Sequence, residues 1–197
     1  MGLAGRRGAP VDWLLVGLGN PGAQYEGTPH NVGFDVAELL SRRWQLPRPR
    51  TRFRGLLSEG RPVAGGPYVA VLRPQTYMNE AGRSVGPARG ELRVPPERIV
   101  VVHDEIDLPF GEVRVRLGGG LAGHNGLKSV RAALGSPDFY RVRVGVGRPP
   151  STDPDIVSAF VLGKFRQSRA EVAELVARAA DAVEQLVLRD GDSQQPG

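Results

Sequence analysis

Apolar residues fall along the chain in two kinds of run. Residues 13–18 and 99–103 are short, nearly continuous apolar stretches followed by turn or polar residues, the mark of strands buried on both faces. Residues 113–117 and 140–146 alternate instead. Val113, Val115 and Leu117 stand opposite Arg114 and Arg116, and Val142 and Val144 stand opposite Arg141 and Arg143. A period of two predicts strands with one apolar and one solvated, basic face. Residues 68–72 read as a further strand stopped by Pro74, and residues 53–58 as a short edge strand in an otherwise ambiguous stretch.

Between these runs the period changes. Val36, Leu39, Leu40 and Trp44 share one face of a helix over 35–45, which Pro47 and Pro49 end. A weak helix over 79–88 is interrupted by Gly82, Gly86 and Pro87. Another begins near Asn125, with Leu127, Val130 and Leu134 inward. Residues 151–165 read as loop and short helix, with a lid among the roles open to 151–163. The clearest helix covers 168–188, where Val172, Leu175, Val176, Ala179, Val183, Leu186 and Val187 form one stripe. Interleaved strands and helices predict an α/β fold: one domain, a mixed, partly parallel twisted sheet with helices on both faces, an α/β/α sandwich. Function in such sheets gathers where strand ends meet loops, here after Leu18, Leu72, His103 and Leu117.

Composition narrows this reading. A chain of 197 residues that is 40% hydrophobic suits one sizeable core. Residues 1–10 are charged without an apolar segment and read as a flexible lead-in, 11–189 as the domain, and 190–197 as a polar, disordered tail. No apolar run approaches the length of a membrane span. The absence of cysteine excludes disulfides and thiolate metal sites and suits a cytoplasmic protein. Of 26 basic residues only Lys128 and Lys164 are lysines, and the net charge is +5. Such a balance points to a polyanionic partner where the arginines cluster.

Three short patterns mislead. Gly17-x-Gly19-x-x-Gly22 matches the dinucleotide fingerprint, but Pro21, Gly27 and Pro29 delay the helix that would hold a pyrophosphate. Gly118-x-Gly120-x-x-Gly123 does precede a helix, yet no acid follows to take a ribose. Gly82-Arg83-Ser84-Val85-Gly86 matches a nucleophile elbow, and Ser84, Asp104 and His124 follow in hydrolase order, but no strand leads into it.

What remains is a set of imidazoles, carboxylates and amides. His30 lies in a Gly/Pro loop with Asn20 and Asn31 near it. His103 ends an apolar strand, and His124 stands where it would cap a helix. Asp104, Glu105 and Asp107 follow a strand and offer oxygen to a metal. With few histidines to join them, a carboxylate orienting an imidazole is preferred, which makes that imidazole a directed general base. Asn20, Asn79 and Asn125 are amides able to donate to a carbonyl or a developing oxyanion.

The segments LLVGLGNPGAQYEGTPHNVG, RPQTYMNEAG, VVHDEIDLPFG, VRVRLGGGLAGHNGLKSV, FYRVRVGVGRP and FVLGKF, in that order, resemble bacterial peptidyl-tRNA hydrolases over about residues 14–165. The resemblance implies a monomeric, metal-free and cofactor-free enzyme that cleaves the ester between a peptide and the tRNA 3′ ribose. It implies His30 as the base that activates water and Asp104 as the group that holds it. Asn20 and Asn79 would bind the peptide end, Asn20 by accepting an N–H of the acylated nitrogen. Asn125 would position water or stabilise the oxyanion, and Tyr25 and Tyr77 would line the crevice. Arg114, Arg116 and Arg141, with Lys128 and Arg131 nearby, would meet tRNA phosphates. The rival readings are a non-catalytic RNA-binding protein on the same fold and a serine hydrolase using Ser84.

Overall fold

Every residue of Trp13–Gly17 (β1) is buried, because this strand lies at the middle of the sheet with helices above and below. The computed structural model describes residues 10–121 and 123–189. In chain order β1 is followed by Val32–Arg43 (α1), Arg50–Arg52 (β2), Gly55–Gly60 (β3), Val69–Pro74 (β4) and Gly82–Leu92 (α2). Then come Ile99–Glu105 (β5), Val113–Leu117 (β6), Asn125–Leu134 (α3), Tyr140–Gly145 (β7), Pro154–Leu162 (α4) and Arg169–Arg189 (α5). The seven strands form one mixed sheet in the order β2-β3-β4-β1-β5-β7-β6. The central four run parallel, and β2, β3 and β6 are joined antiparallel.

Two apolar cores follow from strand alternation. Trp13, Leu15, Val100, Val102, Val142 and Val144 pack against α1 and α5 on one face. Leu14, Val16, Leu72, Ile99 and Val101 pack against α2 and α3 on the other. Helices on both faces of a mixed sheet are the architecture the periodicity predicts. The lead-in and the tail, apart from Pro10, lie outside the described residues.

Four elements differ from the sequence reading. The helix predicted over 35–45 starts earlier, at Val32, because the turn Pro29–Asn31 feeds directly into it. The strand predicted at 53–58 is not an edge. Phe53 and Arg54 take left-handed backbone (φ 53° and 51°) and form a tight hairpin, so the arginine-rich β2 becomes the edge and β3 lies inside it. The weak helix over 79–88 runs on to Leu92 through Pro87. Packing against α3 sustains it: a methyl group at Gly82 would strike the backbone of Ser129. On β6 the non-arginine face is open too, Val115 and Leu117 being 44% and 50% exposed, as suits a strand at the sheet margin.

One close approach places the site. A side chain at Gly33 would collide with the backbones of Leu18 and Val102. The first turn of α1 therefore rests directly on the ends of β1 and β5, and the turn carrying His30 is held over β5.

Candidate active site

The parallel strands β4, β1 and β5 are neighbours, so their C-terminal ends and the loops that leave them share one end of the sheet. His30 comes from the loop after β1, and Asp104 is the penultimate residue of β5. The His30 Nδ1 lies 3.0 and 2.9 Å from the two Asp104 carboxylate oxygens. A ring nitrogen between two carboxylate oxygens donates its proton, which leaves Nε2 with a free lone pair.

Burial by itself would lower the His30 pKa. The charge of Asp104 and its hydrogen bond outweigh burial, and the net shift is upward. Burial would likewise raise the pKa of Asp104, which is 4% exposed. The charges and hydrogen bonds of His30 and His124 overcome this and hold the carboxyl well below the usual carboxylate range. His103 is fully buried beside them. Burial foremost pushes its pKa down to about 3, and its Nδ1 lies 2.9 Å from the Asp104 carbonyl, so it is a neutral structural residue.

The loop after β1 is built around its amides. Asn31 accepts the Asn20 N–H at 2.8 Å and donates to the Asn20 carbonyl at 2.9 Å. Asn20 Oδ1 accepts the backbone N–H of Met78 at 2.8 Å, which ties the β1 loop to the turn after β4. Its carboxamide NH₂ is then the group without a partner among the described residues. This amends the expectation that Asn20 accepts from substrate: its oxygen already serves Met78, and the amide is set to donate.

A cavity of about 600 Å³ opens over these groups. His30, Asp104, Asn20, Asn125, Asn79, Tyr25 and Tyr77 all line it, so the structure brings together every non-arginine residue of the expected site. Val157, Val161 and Leu162 of α4 add an apolar side. The segment expected as loop and short helix is so built: its helix, Pro154–Leu162, lies along the cavity and is capped by Asp153, whose side chain accepts the Asp155 N–H at 2.9 Å.

The arginines separate. Arg114 and Arg116 lie exposed on β6, Arg114 near Glu112 at 3.3 Å. Arg141 was expected with them but is 2% exposed, and its Nε and Nη2 donate to the Gly118 carbonyl at 3.1 and 3.0 Å. Its strand lies one position in from the sheet margin, so this arginine braces the glycine turn after β6 rather than facing solvent. Burial foremost, then the nearby charges of Arg143 and Arg116, lowers its pKa, with Glu105 opposing. Of the misleading patterns, the one at Ser84 is settled by burial: Ser84 is fully enclosed within α2.

Sequence reasoning missed the second role of His124. Its Nε2 lies 2.8 Å from Asp104 Oδ1, while its Nδ1 accepts the N–H groups of Gly126 and Leu127. The cap was expected from sequence; the carboxylate contact was not. The pairing of Asn31 with Asn20 was signalled only by adjacency to His30, and Glu105, offered by the sequence as an oxygen ligand, is instead buried 3.5 Å from Arg143. Ligand atoms of His30, Asp104 and His124 lie within 4.8 Å of one another, a spacing a metal ion could use. Here each is engaged in a hydrogen bond to another member of the set, and His124 has its second nitrogen occupied by backbone.

Known proteins match this chain in sequence and in fold. Residues 14–195 match the family model described as peptidyl-tRNA hydrolase. The peptidyl-tRNA hydrolase of Mycolicibacterium smegmatis is 49% identical over 180 residues, 88% of this chain and 90% of its own. That of Methylocella silvestris is 47% identical over 179 residues, 91% of this chain and 89% of its own. The crystal structure of peptidyl-tRNA hydrolase from Acinetobacter baumannii superposes with a TM-score of 0.80 at 35% identity, covering 95% of this chain and 94% of that one. With nearly the whole chain matched in sequence and fold, and a paired imidazole and carboxylate lining an amide-rich cavity, this protein belongs to the peptidyl-tRNA hydrolase family.

Proposed function

We infer that this chain hydrolyses the ester bond joining a peptide to the 3′ ribose of tRNA, releasing both after translation stalls or aborts. The observation that carries the mechanism is the His30–Asp104 pair at 2.9 Å, facing a cavity lined by three asparagines. His30 Nε2 takes a proton from water as the water oxygen attacks the ester carbonyl. The carbonyl becomes a tetrahedral oxyanion, the bond to the ribose oxygen breaks, and the proton on Nε2 passes to that oxygen. Asp104 orients the ring and stabilises the imidazolium. A ribose oxygen is a better leaving group than an amine, so water and one base suffice without a protein nucleophile. General-base assistance is worth roughly 10²–10⁴-fold, and a positioned amide donor a comparable factor. Asn125 is assigned the water or the oxyanion, and Asn79 the peptide.

Asn20 is assigned the choice between blocked and free aminoacyl ends. Its NH₂ meets the carbonyl that acylates the α-nitrogen. A free α-ammonium lacks that carbonyl and arrives charged in a partly apolar cavity, where desolvation opposes it. Asn20→Asp reverses the hydrogen-bond polarity and is expected to narrow the preference for blocked substrates; an untouched preference would remove the assignment.

For tRNA, Arg114 and Arg116 are assigned phosphate contacts, with Arg141 supporting the turn on which Arg116 rests. That support is seen at Gly119, where a side chain would meet Arg116 Nε at 2.6 Å and Arg141 Nη2 at 2.9 Å. A monomer without an obligatory protein partner is the state that the family resemblance implies. Among the described residues no helix is long and apolar enough to cross a membrane. A tRNA substrate and a cysteine-free chain support a cytoplasmic site of action.

The decisive experiment measures turnover of an N-blocked aminoacyl-tRNA by His30→Ala and Ser84→Ala beside the parent. Loss of at least a hundredfold in the first and full activity in the second is the expected pair. Retained turnover in His30→Ala would overturn the mechanism, and retained RNA binding without any turnover in the parent would favour a binding protein.

A further inference from the structure

The carboxylate that orients His30 is shared, and the second imidazole on it has its protons arranged by a helix. Two backbone N–H groups at the start of α3 point at His124 Nδ1, from Gly126 at 3.1 Å and Leu127 at 3.3 Å. A nitrogen receiving two donors supplies a lone pair and carries no proton. The proton of His124 must then be on Nε2, which lies 2.8 Å from Asp104 Oδ1 and donates to it. The tautomer follows from the unsatisfied donors at a helix N-terminus. The rings of His30 and His124 lie 5.1 Å apart, joined through the one carboxylate.

We propose that His124 is a positioning residue that locks Asp104 and, by donating to it, tempers the base strength of His30. This rests on the reading of His30 as the base. A carboxylate that already accepts a hydrogen bond has less charge to offer a second partner. Its hold on the protonated His30 is weaker than that of a lone aspartate, and His30 gives up its proton more readily. The same bond restrains Asp104 from a direction that His30 does not cover. His124 thus couples the start of α3, next to Asn125, to the base.

Other groups around His30 leave this contact distinct. Glu105 on β5, Tyr25 in the loop after β1 and Tyr77 after β4 also line the cavity, but Glu105 is paired with Arg143 at 3.5 Å. α1 carries Asp35 in its first turn. α4 lines the cavity with Pro154, Val157, Ser158, Val161 and Leu162, none of which titrates in this range. His103 touches the His124 ring edge-on, with centroids 5.2 Å apart, and is itself held neutral.

Two substitutions separate the roles. In His124→Asn the shorter side chain keeps an oxygen for the α3 N–H groups but does not reach Asp104. In His124→Gln the amide reaches Asp104 as a donor and gives up the cap. The test follows the His30 ring by NMR titration in the intact chain, with kcat/KM against pH measured in parallel. In His124→Asn the His30 midpoint is expected to rise by about 0.5–1 pH unit. The acid limb of kcat/KM should move with it, and the plateau kcat should fall several-fold. His124→Gln should return the midpoint toward that of the parent despite a lower Tm. An unmoved His30 midpoint in His124→Asn would overturn the proposal and leave His124 a helix cap. Ring nitrogen shifts placing the His124 proton on Nδ1 would overturn it as well. A midpoint that moves while the pH–rate profile does not would uphold the coupling and instead remove His30 as the base.

Discussion

At the scale of single residues, His30 and Asn20 each engage one polar atom within the fold and leave the other open. His30 has one nitrogen on Asp104 and the other open; Asn20 has its oxygen on Met78 and its NH₂ open. The upward shift of His30 sets the pH dependence. Turnover needs the neutral ring, so kcat/KM should fall on acidification with a midpoint above the 6.5 of an ordinary histidine. Linkage gives the matching stability effect. A raised folded pKa adds stability that is complete below about 6.5 and is lost as pH rises through the folded value. Thermal melts of the parent should therefore drop slightly across the acid limb, and His30→Ala should lack that drop. Asp104 acts in the opposite sense, adding stability above the ordinary aspartate value and losing it as pH falls toward its depressed one. Ser84 is a control of another kind. Its Oγ is buried without a hydrogen-bond partner among the described residues, so Ser84→Ala should leave stability equal or higher by up to about 1 kcal/mol.

At the scale of elements, α1 carries both an opportunity and a strain. Its seat on β1 and β5 through Gly33 holds the His30 turn in place. Gly33→Ala would force the helix off two strand backbones, and a loss of about 3 kcal/mol or more is expected in denaturant unfolding, with turnover falling alongside. On the same helix, burial foremost, then Glu38 and Glu26, pushes the Asp35 pKa up to about 6 against the pull of Arg73. The sign is unfavourable at neutral pH: stability from this group is full below about 4 and is lost as pH rises through about 6. Asp35→Asn is expected to stabilise the fold by about 1–2 kcal/mol at pH 7, and the gain should vanish in melts near pH 4. The strand β6 shows why a pattern of arginines is an incomplete guide. Arg114 and Arg116 alternate as Arg141 and Arg143 do, yet β6 ends the sheet while β7 is enclosed by β5 and β6.

At the scale of the whole molecule, a net charge of +5 draws a polyanion, but the surface arginines are unequal in their use. Many are matched by acids, as Arg43 is by Asp181 and Glu184 at 2.8 and 2.5 Å. Arg116 lies beside Arg141 with no acid paired to it among the described residues. tRNA affinity should fall steeply with salt, and in Arg114→Ala/Arg116→Ala the slope of log K against log salt should flatten by roughly 1.5–2. Adding Arg141→Ala should cost affinity by loosening the Gly118 turn while changing the slope little further. A slope unchanged by all three substitutions would take tRNA binding away from this face.

Local pattern by itself determined most of the strands and helices, the two-sided sheet and the short motifs that carry the family resemblance. Period and turn chemistry are properties of neighbouring residues, and they survive without knowledge of the rest of the chain. Which polar groups meet is another matter. His30 and Asp104 are 74 residues apart and His124 a further 20 along, and only the strand order brings their elements to one end of the sheet. The tertiary structure alone decided that β3 lies inside an arginine-rich edge, that Arg141 is enclosed, that Asn20 gives its oxygen to Met78, and that Asp104 serves two imidazoles. Hydrophobic periodicity reports which face of an element is apolar. The partner of a buried polar atom depends on what is packed across from it, and that is settled when the sheet and its two helical layers come together.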